Sequence, residues 1–281
     1  MGIKTRFSCG ILLLMAGIAS AQDLSVMTYN IRYDTSADGP NAWKFRKDFL
    51  IRQVAYHAPD VLGIQEGLAH QVEAMDAGLP QYTRFGRGRD SLPTAGEFSA
   101  VFYREDHLEL EESGTFWLSE TPEAPSRGWD AALNRICTYG RFRHRESGRR
   151  FYLFNTHFDH KGEVARARSV ALLLERMAAV QTQGYPVVLT GDLNLEPDSD
   201  PILLLSGKMQ DAHAAAADRA YGLPGTFNGF DCESPVTRRI DYIFVSPGDF
   251  EVVRHGILSA TREKGFPSDH FPVLADLRFT D

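Results

Sequence analysis

Residues 186–194 read Pro186-Val187-Val188-Leu189-Thr190-Gly191-Asp192-Leu193-Asn194. A short unbroken run of apolar and β-branched residues predicts a strand buried on both faces. It stops at a glycine, an acid and an amide. A carboxylate at such an exit stands at the rim of a sheet, held still by the core behind it. The same pattern recurs outward from this stretch. Leu24 to Asn30 closes on Asn30, and Val61 to Gln65 runs into Glu66. Phe151 to Thr156 leads to His157 and Asp159, Asp241 opens Tyr242 to Val245, and Ser268-Asp269-His270 opens the last strand. Polar groups at so many strand ends predict one site at one rim.

Further strands are expected at Phe98–Tyr103, Leu108–Leu118, Ile136–Arg145, Glu251–Ile257 and Phe271–Phe279. Helical patterns cover Trp43–His57, with Phe45, Phe49, Val54 and Tyr56 among charges, and Leu68–Leu79. Glu163–Gln183 is the longest, with Val164, Ala167, Ala171, Leu174 and Ala178 recurring at helical spacing on one face and Gly184 as its stop. Asp200 and Pro201 open another helix as cap and first-turn residue. Strands arrive in runs with few helices between them, which favours mixed, largely antiparallel α/β layering over a doubly wound sheet. Two sheets packed face to face with helices outside use every segment.

The first 21 residues read differently. Lys4 and Arg6 precede the apolar run Gly10–Ile18, and Ala19-Ser20-Ala21 forms a small-residue cleavage site. This is the pattern of a secretory signal peptide, too short for a membrane span. Residues 22–281 then form a single exported domain, periplasmic or secreted. The whole chain carries a formal charge of −7, and loss of Lys4 and Arg6 makes it −9. That balance disfavours a general nucleic-acid binder, which neutralises phosphates with Lys and Arg. Arg141, Arg143, Arg145, Arg149 and Arg150 are the one basic cluster, read as a solvated strand face. Cys137 and Cys232 remain after cleavage, and export permits but does not require their pairing. No later segment is apolar enough to span a membrane, and a monomer is expected.

The rim residues agree chemically. Glu66 and Asp269 are hard oxygen ligands and Asn30 adds a neutral oxygen, a set suited to Mg²⁺ or Mn²⁺. His157 and His270 remain for proton transfer or transition-state charge. Singly, each has a plain alternative: Asn30 a turn, Asp192 a cap, Asp241 a surface charge, His157 a core histidine.

Met27-Thr28-Tyr29-Asn30-Ile31-Arg32, Gln65-Glu66, Asn155-Thr156-His157-Phe158-Asp159, Gly191-Asp192-Leu193-Asn194, Arg239-Ile240-Asp241-Tyr242-Ile243 and Ser268-Asp269-His270 occur in this order. Together they resemble the motif series of the endonuclease/exonuclease/phosphatase superfamily, across Leu24 to Leu277. Phe116–Pro122 with Gly128-Trp129-Asp130 resembles an exported bacterial branch. The resemblance implies a four-layered α/β sandwich of two packed, mixed, largely antiparallel sheets flanked by helices. It implies Glu66 as main metal ligand, with Asn30 and Asp269 near the same ion. Asp192 resembles the residue that orients or deprotonates water, and Asn194 its partner. His270 resembles the histidine on the phosphoryl oxygens, held by Asp241. His157 resembles a second histidine supported by Glu97, and Arg135 sits where a phosphate-contacting arginine falls. Asp159, in the rim loop Asp159-His160-Lys161-Gly162, is a candidate for substrate choice. The expected activity is an exported metal-dependent phosphohydrolase on a small or headgroup-like phosphoester. The alternatives are a secreted nuclease, a sphingomyelinase-like phospholipase and a non-catalytic binding protein on the same fold.

Overall fold

The computed structural model describes residues 23–263 and 265–280. The expected leader, residues 1–21, lies outside the described residues. Strands are numbered in chain order. β1 (Leu24–Asn30), β2 (Val61–Gln65), β3 (Tyr82–Phe85), β4 (Val101–Arg104), β10 (Ala220–Tyr221), β12 (Phe250–Ile257) and β13 (Val273–Phe279) form one sheet, ordered β10-β12-β13-β1-β2-β4-β3. β5 (Leu108–Trp117), β6 (Ile136–His144), β7 (Arg150–His157), β8 (Val187–Asp192), β9 (Gln210–Asp211) and β11 (Asp241–Val245) form the other, ordered β5-β6-β7-β8-β11-β9. Only β1–β2, β7–β8 and β10–β12 pair parallel. The helices are α1 (Trp43–His57), α2 (Ala69–Gly78), α3 (Glu163–Val180), α4 (Asp200–Ser206) and α5 (Ala212–Ala216).

Three apolar layers define the four-layered sandwich. Val26, Val61 and Val101 of one sheet meet Leu153, Val188 and Ile243 of the other in the central layer. The next residues along the same strands, such as Met27, Leu62 and Phe102, turn outward onto Leu50 and Val54 of α1 and Val72 and Met75 of α2. Phe154, Leu189 and Phe244 turn outward onto Val170 and Leu173 of α3 and Ile202 of α4. Alternate side chains therefore serve two different cores, which is why these strands read as unbroken apolar runs.

Near one end the central layer becomes polar. Gln65 donates to Thr28 Oγ1 at 3.0 Å and to Asn155 Oδ1 at 2.7 Å. Asn155 donates to the carbonyls of Ile64 and Ala100 at 2.9 and 3.1 Å and accepts from Thr190 Oγ1 at 3.1 Å. The Gln65–Asn155 bond and the two bonds from Asn155 to the Ile64 and Ala100 carbonyls cross from sheet to sheet. Gly63 permits the approach, since a Cβ there would clash with Asn155 Oδ1 and lie 2.6 Å from Thr190 Oγ1. Just beyond this seam the strands end in the predicted polar residues.

Several expectations need correction. The buried face of α3 is Ala165, Ser169, Val170, Leu173 and Met177; Val164, Ala167, Ala171 and Ala178 face solvent. The bulkier stripe wins because it fills the groove over β7 and β8, whereas alanines bury little area. On α1, Phe45 and Tyr56 are exposed and Arg46 and Gln53 are buried. α3 ends at Val180, and Gly184 takes a positive φ of 70° in the turn beyond. Ser199, not Asp200, occupies the cap position of α4. The strand expected from Phe98 begins at Val101, Phe98 forming only isolated bridges to Gly67 and Gly88. The last strand begins at Val273, after Pro272, which has no N–H for the ladder. The short strand Tyr82–Phe85 was not anticipated. Cys137 is buried, Cys232 is exposed, and both are free thiols. Among the described residues, no helix is long and apolar enough to cross a membrane.

Asn155→Ala should remove one buried hydrogen bond each from the Ile64 carbonyl, the Ala100 carbonyl, the Gln65 amide and the Thr190 hydroxyl. The expected loss is about 2–4 kcal/mol, at the cost of buried unsatisfied groups. Denaturant unfolding measures it; an unchanged midpoint would contradict the structural role of the seam.

Candidate active site

Register brings the rim residues together. Asp192 ends β8 directly between His157 on β7 and Asp241 on β11, its Cα partners on either side. Asn30 ends β1 opposite Gln65, which places Glu66 one residue beyond. Ser268 Oγ donates to the Asn30 carbonyl at 2.7 Å and seats Asp269 and His270 against the same edge. Arg32, Glu66 and Asn194 hold positive φ of 54°, 64° and 50°. Such strained backbone persists where its surroundings over-determine it.

The bonds among these residues form one cluster. Asn30 Nδ2 donates to Glu66 Oε1 at 3.1 Å and to Asp192 Oδ2 at 2.9 Å. Asp192 Oδ1 accepts from the Asn194 N–H at 2.9 Å. Asn194 Nδ2 donates to His157 Nε2 at 3.1 Å, so that nitrogen carries no proton. His270 Nδ1 lies 2.9 Å from Asp241 Oδ2, and its Nε2 points toward Asp192 Oδ2 at 3.7 Å. The cluster floors a cleft of about 530 Å³. A second cleft of about 560 Å³ holds His57, His107 and His144. There His107 is already bonded to Asp60 and His144 to Ser147, and among the described residues the lining acids Asp23, Asp60 and Glu146 form no metal-holding group.

Burial sets the electrostatics. It pushes Asp192 up to about 7, helped by Asp241 and opposed by His270. Asp269 rises to about 6, again by burial, opposed by His270 and reinforced by Glu66. Burial works against a charged His270, but Asp241 and Asp192 outweigh it and hold the imidazolium well above its ordinary value. His157 is pushed well down, by burial first and then by Arg135 and Arg89, and is neutral. Two carboxyls that resist ionisation mark negative charge that the protein's own cations leave uncompensated. A divalent cation fits that deficit. The donors Asn30, Glu66, Asp192 and Asp269 supply hard oxygens. Ligand atoms of Glu66, His157 and Asp192 lie within 4.8 Å of one another.

Arg135 and Glu97 line the cleft with these residues. Asp159 does not. Its Oδ1 accepts from the N–H groups of Lys161 and Gly162 at 3.0 and 2.8 Å, and its Oδ2 from Leu133 N–H and Arg135 Nε at 3.3 and 3.4 Å. These donors overcome burial and keep the carboxylate well below its ordinary range. Asp159 therefore acts by positioning Arg135 and its own loop. Glu97 Oε2 is 3.9 Å from His157 Nδ1, too far for a hydrogen bond, and pairs with Arg89 at 2.7 Å.

Sequence reasoning missed three cationic groups, Arg32, Arg46 and Arg89, and named His160 only as part of the rim loop Asp159-His160-Lys161-Gly162. Arg32 stands between Glu66 and Asp269, 3.9 and 3.7 Å away, and grips Asp38 with two hydrogen bonds. Arg46, buried on α1, donates to the carbonyls of Ile31, Arg32, Asn41 and Pro267, so one guanidinium braces both loops that carry metal-ligand candidates. Arg89 and His160 line the cleft. Its place as the last residue of the Met27–Arg32 motif was a signal for Arg32; nothing local marked Arg46 or Arg89. Most of the basic stripe is paired with acids. Arg141 and Arg150 pair with Glu111, and Arg143 pairs with Glu109.

The sequence pattern of the Endonuclease/Exonuclease/phosphatase family matches residues 27–270. The chain belongs to this family, whose members hydrolyse phosphoester bonds with divalent metals. It is 41% identical to a mannosyl-6-phosphatase of Bacteroides thetaiotaomicron, covering 91% of this chain and 100% of that one, with a TM-score of 0.85. A family member from Bacteroides vulgatus is 38% identical, covering 92% and 99%, with a TM-score of 0.86. Protein angel of Drosophila melanogaster is 29% identical over 62% of this chain and 50% of its own length. The chain spans about half the length of the curated relatives it matches.

Two outcomes follow from this geometry. Glu66→Gln removes a charged ligand. It should lower activity by about 10²-fold or more and abolish the rise in melting temperature produced by Mn²⁺ in the wild-type protein. A Mn²⁺ shift of wild-type size in the variant would remove Glu66 from the metal site. Asp241→Asn takes away the carboxylate that raises both His270 and Asp192. Both limbs of the pH profile of kcat/KM should therefore move to lower pH. An unmoved profile would show that Asp241 does not tune them.

Proposed function

We propose that the protein is a Mg²⁺- or Mn²⁺-dependent phosphatase of a small phosphomonoester, a sugar phosphate foremost, acting outside the cytoplasm. One observation carries the reading: Arg135 lines the cleft floor, its side chain is 5% exposed, and its Nη1 has no hydrogen-bond partner. A buried cationic donor left unpaired is costly unless an anion completes it. A phosphate oxygen does so. A monoester offers three terminal oxygens, enough for Arg135, His270 and a metal. The cleft has the size of a small-molecule site. The mannosyl-6-phosphatase likeness points to a sugar as the alcohol.

The chemistry follows from the hydrogen bonds. Asp192, held on both oxygens by Asn30 and Asn194, aligns a water and takes its proton as oxygen attacks phosphorus. His270, cationic against Asp241, presents Nε2–H to a phosphoryl oxygen as charge spreads over it. Arg135 neutralises a second oxygen. Glu66, Asp269 and Asn30 would hold the divalent metal, which would supply Lewis-acid stabilisation of charge developing on the phosphoester. Each of these residues comes from one chain, so a monomer suffices. Export rests on Lys4, Arg6, the apolar run and Ala19-Ser20-Ala21.

A duplex nuclease has less support. The paired arginines of the basic stripe begin six residues along β6 from Arg135, roughly 20 Å at strand rise, and run away from the site. The protein should therefore hydrolyse a sugar phosphate with weak salt dependence and cleave duplex DNA poorly. His270→Ala should slow the single-turnover step on the sugar phosphate by about 10²-fold or more. Preference for DNA in kcat/KM, with a steep negative salt slope, would replace the phosphatase by a nuclease.

A further inference from the structure

His160 follows Asp159 in the loop after β7, and its side chain is held although the residue is exposed. The loop is fixed from below by the four donors to Asp159 and by Arg166, which donates to the Asp159 carbonyl at 3.2 Å. The ring is fixed from the side: its Nδ1 lies 3.0 Å from Arg135 Nη2. A guanidinium has only donors, so Nδ1 accepts. The proton of the neutral ring then sits on Nε2. Burial and the Arg135 charge both push His160 down, consistent with a neutral ring.

Arg135 thereby presents two faces. Nη2 is bonded to His160, while Nη1 is buried with no hydrogen-bond partner. A ring locked to the phosphate-binding guanidinium carries its donor N–H next to the phosphate, where the esterified alcohol must lie. Leu133, on the same wall, has no polar side-chain atom to share that work.

We propose that His160 Nε2–H donates to a hydroxyl of the alcohol moiety, so that the site selects phosphate esters of polyhydroxylated alcohols over esters of plain aryl or alkyl alcohols. The inference rests on the phosphatase reading and adds its specificity-determining residue. Nothing is transferred to or from His160. It accepts from Arg135, donates to the substrate and stays neutral throughout.

The test compares mannose 6-phosphate with phenyl phosphate, whose alcohol bears no further hydroxyl. Melting temperatures verify that each variant is folded. In His160→Ala the ratio of kcat/KM, sugar ester over phenyl ester, should fall about tenfold or more, the size of one lost neutral hydrogen bond. His160→Gln should recover part of that ratio, since an amide can accept from Arg135 with its oxygen and donate with its nitrogen. If both esters fall by the same factor, His160 only positions Arg135 and the proposal is overturned. If the ratio does not change at all, it is overturned equally. The wild-type protein is measured first. Failure to hydrolyse either monoester would overturn the phosphatase reading itself, whereas hydrolysis of both with an unaltered ratio in the variants would overturn only the role of His160.

Discussion

The two sheets are pinned together at one end by hydrogen bonds, and the site exists because of that pin. Asn155 bonds to the backbone of β2, to the carbonyl preceding β4, and to the side chains of Gln65 and Thr190. Elsewhere the sheets meet through aliphatic and aromatic side chains, whose packing is tight but not directional. At the seam, directional bonds set both separation and register. Gly63 is where the chain makes room for it. Two residues past Thr28, Asn155 and Thr190, and one past Gln65, the chain presents Asn30, His157, Asp192 and Glu66 at one edge. A slip of one residue would turn each of these to the opposite face.

Gathering acids at that edge has an electrostatic cost, and the surrounding residues answer it. Asp192 and Asp269 are driven toward neutrality by burial. His270 is driven toward charge by the same carboxylates. Arg32 and Arg46 stand on the side of Glu66 and Asp269; Arg89 and Arg135 stand on the side of Glu97 and His157. Arg46 braces both ligand loops, and in the second pair Arg135 keeps one buried guanidinium nitrogen without a hydrogen-bond partner. The site is thus divided into a cation-accepting half and an anion-accepting half, as attack on a phosphoester demands.

The two long helices show how far periodicity reaches. α1 and α3 occur where the pattern places them, and the faces they bury are not those the pattern selects. On α1 the buried face includes Arg46 and Gln53, polar residues that work on distant backbone carbonyls and on Tyr29. On α3 an alanine stripe has the period but too little area to compete with Val170, Leu173 and Met177. Asp159 shows the same limit within the site. It stands in a motif beside His157, yet its carboxylate is used up inside its own loop.

By itself the sequence determined most of the long strands and the polar residues that end the central ones, because a strand buried on both faces must read as an unbroken apolar run that a polar group terminates. It also determined the six ordered motifs and hence the family. Tertiary structure alone decided which of those polar groups touch. Asn30 and Asp192 are 162 residues apart and share a hydrogen bond. Arg46 and Pro267 are 221 apart and share another. No local pattern encodes such pairs, because they arise from the stacking of two sheets and the closing of loops over them. For the same reason the protonation of His157 and His160 was hidden in the chain. An imidazole's charge is set by what it is buried against, and those neighbours come from other strands.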